Sequence, residues 1–216
     1  MPANSWLYGT APPPLLQAYS YAMPIFVALE GFDGSGKSTV AEYLETEADF
    51  TRHRTPGGVF DQLHNRLSEY ETSVRERFAF YIGSLVACSD KVRRDLESGR
   101  NVVVERYYYS TIAYHEARMP GISSNWLGLF EQLVQPDLVI YLEADITSIG
   151  HRLETRGRSS SEDIYFPLYE SVIEEYGRLV NKKNWLSVIN NDIKSTFSAV
   201  DTAIRKTQKR LSRTVA

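Results

Sequence analysis

Nine consecutive residues carry the densest chemistry in the sequence: Gly31, Phe32, Asp33, Gly34, Ser35, Gly36, Lys37, Ser38 and Thr39. Their spacing, Gly31-x-x-x-x-Gly36-Lys37-Ser38, is that of a phosphate loop (Walker A), in which glycines let backbone N–H groups curl around an anion that side chains would crowd out. In such a loop Lys37 neutralises the β and γ phosphates of a nucleotide and Ser38 holds magnesium. A chance glycine turn would lack the flanks found here. Residues 25–30 have the length and apolar character of a buried parallel strand, and residues 39–48 are good helix formers on which the loop can end.

Other charged groups lie where elements are expected to stop. Asn101-Val-Val-Val-Glu105 is a β-branched run that ends in the pair Glu105-Arg106, and ligands of open parallel sheets gather at such carboxyl ends. Glu105 is suited either to hold a metal through water or to take a proton from an acceptor. Arg54 and Arg66 flank the turn Thr55-Pro56-Gly57-Gly58, where a second phosphate would find a bidentate partner and where solvated charge is the plainer alternative. Arg152, Arg156 and Arg158 sit within seven residues of a Gly- and Ser-containing connector, which reads as a closing lid or as a solvated loop.

The elements that must position these groups alternate. Strands are expected at 25–30, 50–54, 101–105, 138–143 and 185–190. Helices are expected at 39–48, 73–98 (capped by Ser73, stopped by Gly99), 107–117, 123–133 (capped by serine), 145–155, 162–181 and 192–213. Strands interleaved with helices imply a doubly wound α/β sheet. Residues 1–22 read as an N-terminal extension without a secretory or transit signature, and residues 23–216 as the domain.

Across 216 residues, 43% are apolar and 24% charged, as in an ordinary globular protein. A net charge of -3 gives no basic footprint for nucleic acid or membrane, and no apolar run reaches the ~20 residues that span a bilayer. The expectation is a cytoplasmic protein. The only cysteine, Cys88, falls in a helical apolar stripe and excludes an internal disulfide or a thiolate metal cluster.

A phosphate loop says only that a polyphosphate binds. Switch GTPases add a separate Asp-x-x-Gly and a base-reading Asn-Lys-x-Asp. Here the one Asp-x-x-Gly lies inside the loop, and Asn181-Lys-Lys-Asn184 lacks the acid. Several arginines beside a phosphate loop are instead what phosphoryl transfer rewards, because that reaction asks for positioning and charge neutralisation. Lys37, Arg106 and the arginines 152, 156 and 158 would supply it.

Four motifs in order, Leu29-Glu-Gly-Phe-Asp-Gly-Ser-Gly-Lys-Ser-Thr39, Arg54-Thr-Pro-Gly-Gly58, Glu105-Arg-Tyr107 with Ser110 and Ala113-Tyr114, and Pro136-Asp137-Leu138, resemble the thymidylate kinase family over nearly everything after Met23. The resemblance implies a three-layer P-loop NTPase fold with a five-stranded parallel sheet and an arginine-bearing lid. It also implies ATP and Mg2+, a nucleoside monophosphate as acceptor, and often a homodimer. It puts Asp33 against the acceptor sugar or phosphate, Arg54 and Arg106 on the acceptor phosphate, and Tyr114 against the sugar. Two departures stand out. Glu105 replaces the usual Asp, as in deoxynucleoside kinases. Tyr81 and Leu85 occupy the positions where the family stacks an aromatic on thymine and hydrogen-bonds it with an arginine. The stretch Phe80 to Ser89 with Arg106 to Thr111 is also similar to the mitochondrial UMP/CMP kinase branch. dTMP is the first expectation, with dUMP, UMP or CMP behind it, and a deoxynucleoside kinase or a binding protein without turnover as alternatives.

Overall fold

The computed structural model describes residues 23–67, 72–157, 165–180 and 184–214. Five parallel strands, β1 (Phe26–Glu30), β2 (Phe50–Arg54), β3 (Asn101–Glu105), β4 (Leu138–Glu143) and β5 (Trp185–Ile189), form one sheet in the order β2-β3-β1-β4-β5. β1 is central, with Phe26 opposite Val102 on one side and Val27 opposite Leu138 on the other. A strand covered on both faces has no polar side, which is why Phe26–Leu29 read as an unbroken apolar run and are all fully buried.

The two-residue period of the strands sorts their side chains into two cores. Phe26, Ala28, Val102, Val104, Val139 and Tyr141 face a layer built from α3 (Val74–Glu97), α4 (Tyr108–Glu116), α5 (Leu127–Gln132), α6 (Ile146–Arg156) and α7 (Tyr169–Leu179). Val27, Leu29, Val103, Leu138, Ile140 and Leu142 face α1 (Lys37–Glu47) and α8 (Ile193–Thr214). Cys88 is a buried member of the first core.

Local chemistry sets several helix ends. Ser73 and Glu76 form a reciprocal capping box at the start of α3, and Gly99, at φ 80°, donates to the Leu96 carbonyl at its end. Asp145 caps α6 by accepting from Ser148 N. The stretch 123–133 departs from expectation. Its first turn is a 3-10 helix, Ser124–Trp126, and the Ser123 hydroxyl donates to Glu116 Oε1 at 2.5 Å instead of capping. The helix expected over 162–181 with an interruption at Pro167 is, within the described residues 165–180, a 3-10 turn, Phe166–Leu168, that contains Pro167 and leads into α7. One helix, α2 (Val59–Leu67), was not expected at all; it follows the glycine turn directly and its polar residues masked a short amphipathic pattern. Residues 1–22 and Arg158, with the side chain of Arg156, lie outside the described residues.

Among the described residues no helix is long and apolar enough to cross a membrane.

Candidate active site

β1, β3 and their crossovers deliver the site to one rim of the sheet. The loop after β1 ends in Gly36 at φ 99°, a left-handed position that starts α1 with no side-chain cap, so the first backbone donors of the helix are left for an anion. A methyl group at Gly36 would collide with the Asn190 side-chain amide, which itself donates to Ser35 O at 2.8 Å. Gly36→Ala is therefore expected to cost at least about 1–2 kcal/mol of stability from the backbone conformation alone. It should also weaken ATP binding, to be read by chemical denaturation and titration calorimetry.

Lys37 is buried beneath this loop, and its ammonium donates to Gly31 O at 2.9 Å, Phe32 O at 2.7 Å and Ser35 Oγ at 3.4 Å. Burial, with the Arg106 charge nearby, pulls its pKa down to about 7 against the favourable pull of Asp33, Glu30 and Glu105. Ser38 and Thr39 face outward at the start of α1.

At the end of β3 the backbone turns sharply, and Arg106 sits at φ 62°, a left-handed conformation that non-glycine residues adopt at a cost. Three contacts hold it there: its N–H donates to Leu29 O at 2.9 Å, the Thr55 hydroxyl donates to its carbonyl at 2.6 Å, and its guanidinium is ion-paired with Asp33. The Tyr114 hydroxyl donates to Asp33 Oδ2 at 3.1 Å, and the guanidinium lies 5.1 Å from the centre of the Tyr114 ring. Burial alone would raise the Asp33 carboxyl, but Arg106, Lys37 and the Tyr114 hydroxyl carry it below the usual range.

Glu105 turns the other way. Its Oε2 accepts from the Ser38 hydroxyl at 2.7 Å and its Oε1 from Arg52 Nε at 2.7 Å. The Ser38 hydroxyl and the Glu105 carboxylate thus form a pair of hard oxygen donors beside the phosphate loop, a set that suits Mg2+. Beneath them Glu30 is completely buried, accepting from Tyr107 N at 2.9 Å, from the Ser110 hydroxyl, and from the Tyr176 hydroxyl at 3.3 Å. Desolvation raises its pKa despite these bonds. Glu30 ties the end of β1 to α4 and α7, so the loop and Arg106 share one anchored base.

These groups meet in a cavity of about 480 Å³. Asp33, Gly34, Gly36, Lys37, Ser38, Thr39, Arg54, Tyr81, Glu105, Arg106, Ser110, Tyr114 and Arg152 all line it. Gly31, Phe32 and Ser35 lie behind the wall, where they hold the Lys37 ammonium. Arg152 bridges Gly34 O at 3.0 Å and Asn190 O at 3.1 Å, bracing the loop from α6. Arg54 is more than half exposed and bonded to Asp61 at 2.5 Å.

Two expected ligand contacts are not among these. Arg66 is exposed on α2 and absent from the cavity wall, because a helix that turns Asp61 and His64 inward carries position 66 away from them. Leu85 is packed in the core with Phe78, Ile82 and Cys88; one turn beyond Tyr81 the helix is already inside the protein, so no side chain at 85 lines the cavity. Conversely, Thr55, Asp61, His64, Thr111, His115 and Tyr165 line the cavity and are not among the expected site residues. Only Thr111 and His115 had a usable signal, one helical turn apart beside Ser110 and Tyr114.

A family model described as thymidylate kinase matches residues 29–200. The chain is 31% identical over 201 residues to a probable thymidylate kinase of Thermococcus gammatolerans, covering 79% of this chain and 94% of that one. It is 35% identical over 141 residues to a thymidylate kinase of Francisella tularensis, covering 56% and 65%. Among solved structures, a thymidylate kinase of Candida albicans superposes with a TM-score of 0.73 at 21% identity, over 88% of this chain and 95% of that chain. With a family model covering well over half its length, the chain belongs to the thymidylate kinase family.

Proposed function

We propose that the protein transfers the γ-phosphate of ATP to dTMP, forming ADP and dTDP. The observation that carries this reading is the common wall on which Lys37, the Asp33–Arg106 pair and the Ser38–Glu105 pair meet. An oxygen of the acceptor phosphate attacks the γ-phosphorus as the bond from that phosphorus to the bridging oxygen of ADP breaks. Charge spreads over the transferring group, and fixed cations stabilise it. Lys37 serves the donor phosphates and Arg106 the acceptor phosphate. Asp33 keeps Arg106 aimed, and Tyr114 packs at the acceptor sugar. Arg54 is the second acceptor-phosphate contact. Ser38 and Glu105 would hold Mg2+, which supplies charge neutralisation on the polyphosphate. Arg152 braces the loop, with Arg156 and Arg158 assigned to the lid. A homodimeric state, a cytoplasmic location and an N-terminal extension at 1–22 preceding the domain complete the proposal.

ADP release with dTMP, dUMP, UMP, CMP and thymidine as acceptors tests it. Turnover should be fastest with dTMP. Turnover of thymidine without dTMP would make the protein a deoxynucleoside kinase, and silence with every acceptor would leave only binding.

A further inference from the structure

On the reading that the acceptor is a pyrimidine monophosphate, we propose that His115 selects the base, its bare Nε2 accepting the imide N3–H of thymine or uracil and facing lone pair to lone pair with N3 of cytosine.

The tautomer follows from one bond. His115 Nδ1 lies 2.7 Å from the Thr111 carbonyl one turn earlier on α4. A carbonyl oxygen only accepts, so Nδ1 carries the proton and Nε2 of the neutral ring has only a lone pair to offer. Among the described residues nothing meets that lone pair: Nε2 is buried and without a hydrogen-bond partner. A buried acceptor left unpaired is costly, and a ligand donor removes the cost.

Neutrality is enforced by the surroundings. Burial, with the guanidinium groups of Arg118 and Arg77, pushes the ring's pKa down to about 4, against the bond to Thr111. His115 is thus an acceptor, not a cation, throughout the neutral range. Its orientation is fixed as well, since Phe78 and Tyr81 of α3 pack edge-on against it at centroid separations of 5.1 and 5.3 Å. Tyr81 is in turn held by His64 Nε2 at 2.9 Å from its hydroxyl. His64, Tyr81, Thr111 and His115 line the same cavity as Arg106.

Leu85 sharpens the point, because it is packed in the core and absent from the cavity wall, and so does not read the base. Thymine and uracil present an N–H at N3. Cytosine presents a lone pair there, which a bare imidazole nitrogen repels. His115 therefore favours imide bases and takes no part in separating thymine from uracil.

The test compares kcat/KM for dTMP and dCMP in the wild type and in His115→Phe, which keeps an aromatic ring in the slot. The dTMP value should fall about tenfold or more, mainly through KM, while the dCMP value holds, so that the ratio between them collapses. Equal losses on both substrates, or no loss on either, overturn the proposal while leaving the kinase reading standing. Absence of any dTMP turnover by the wild type removes that reading and this inference together. A second measurement needs no variant. In protein carrying 15N-labelled histidine, the Nε2 resonance of His115 should move toward its hydrogen-bonded position on addition of dTMP and stay unshifted with dCMP; an Nε2 unmoved by saturating dTMP also overturns it.

Discussion

Replacing Arg106 with alanine is expected to lower kcat/KM for dTMP by a hundredfold to a thousandfold, the usual loss when one donor to a developing anion is removed. The residue combines three properties: a permanent charge, a partly buried guanidinium held by Asp33 and Tyr114, and a backbone fixed by Leu29 and Thr55. Asp33 holds the guanidinium until the acceptor phosphate arrives, so the fork is aimed before substrate binds and little order need be created on binding. Arg106→Lys retains charge but loses the planar fork, and should recover only a small part of the activity. The assay is initial-rate ADP release at saturating ATP and varied dTMP, with circular dichroism to establish that each variant is folded. A loss under about tenfold in Arg106→Ala would show that the acceptor phosphate is held elsewhere, with Arg54 as the alternative.

The backbone of this molecule was open to reading because its three central strands are short apolar runs buried on both faces, and punctuation follows the first three strands: Gly31 after β1, the proline and glycines at 56–58 after β2, Arg106 after β3. Patterns of that kind are local. The phosphate loop is local too, since Gly31 to Ser38 do their work through their own backbone, and it could be assigned from spacing. What lay beyond reach was the pairing of groups from distant elements. Glu105 binds Ser38 across 67 positions and Glu30 binds Tyr176 across 146, and no periodicity encodes either meeting.

The two expected ligand contacts that do not line the cavity have the same origin. Leu85 was placed at the ligand because it aligns with a base-reading position, yet an apolar side chain on a helix facing the sheet moves into the core whatever its homologous position does. Arg66 is close to the glycine turn in sequence, but α2 carries it to an exposed position away from the cavity. His115 escaped notice because its chemistry depends on a tautomer set by the Thr111 carbonyl, a relation visible only once α4 exists.

Lys37 makes the second large effect, and its signature is in pH as well as rate. In the protein without nucleotide its pKa is pulled down to about 7, first by burial and then by Arg106. Near pH 8 the side chain is therefore largely uncharged, and binding of the anionic polyphosphate must restore the proton, because opposite charge at contact raises an ammonium pKa. ATP binding should accordingly take up about one proton near pH 8, and affinity should fall as pH rises above 7, approaching tenfold per pH unit. Stability runs the other way. The unfolded chain holds the proton up to the ordinary lysine pKa of 10.5, so between pH 7 and 10.5 the unfolded state binds more protons and folding stability contributed by this group rises with pH. Calorimetric titration of ATP at pH 8 in buffers of different ionisation enthalpy measures the uptake directly. Lys37→Met should abolish the proton uptake, flatten the pH dependence of affinity, and cut kcat a hundredfold or more while the protein stays folded. Proton uptake of the same size in Lys37→Met would mean that another group titrates on binding, and the charge placed at the donor phosphates by Lys37 would then be present before the nucleotide arrives.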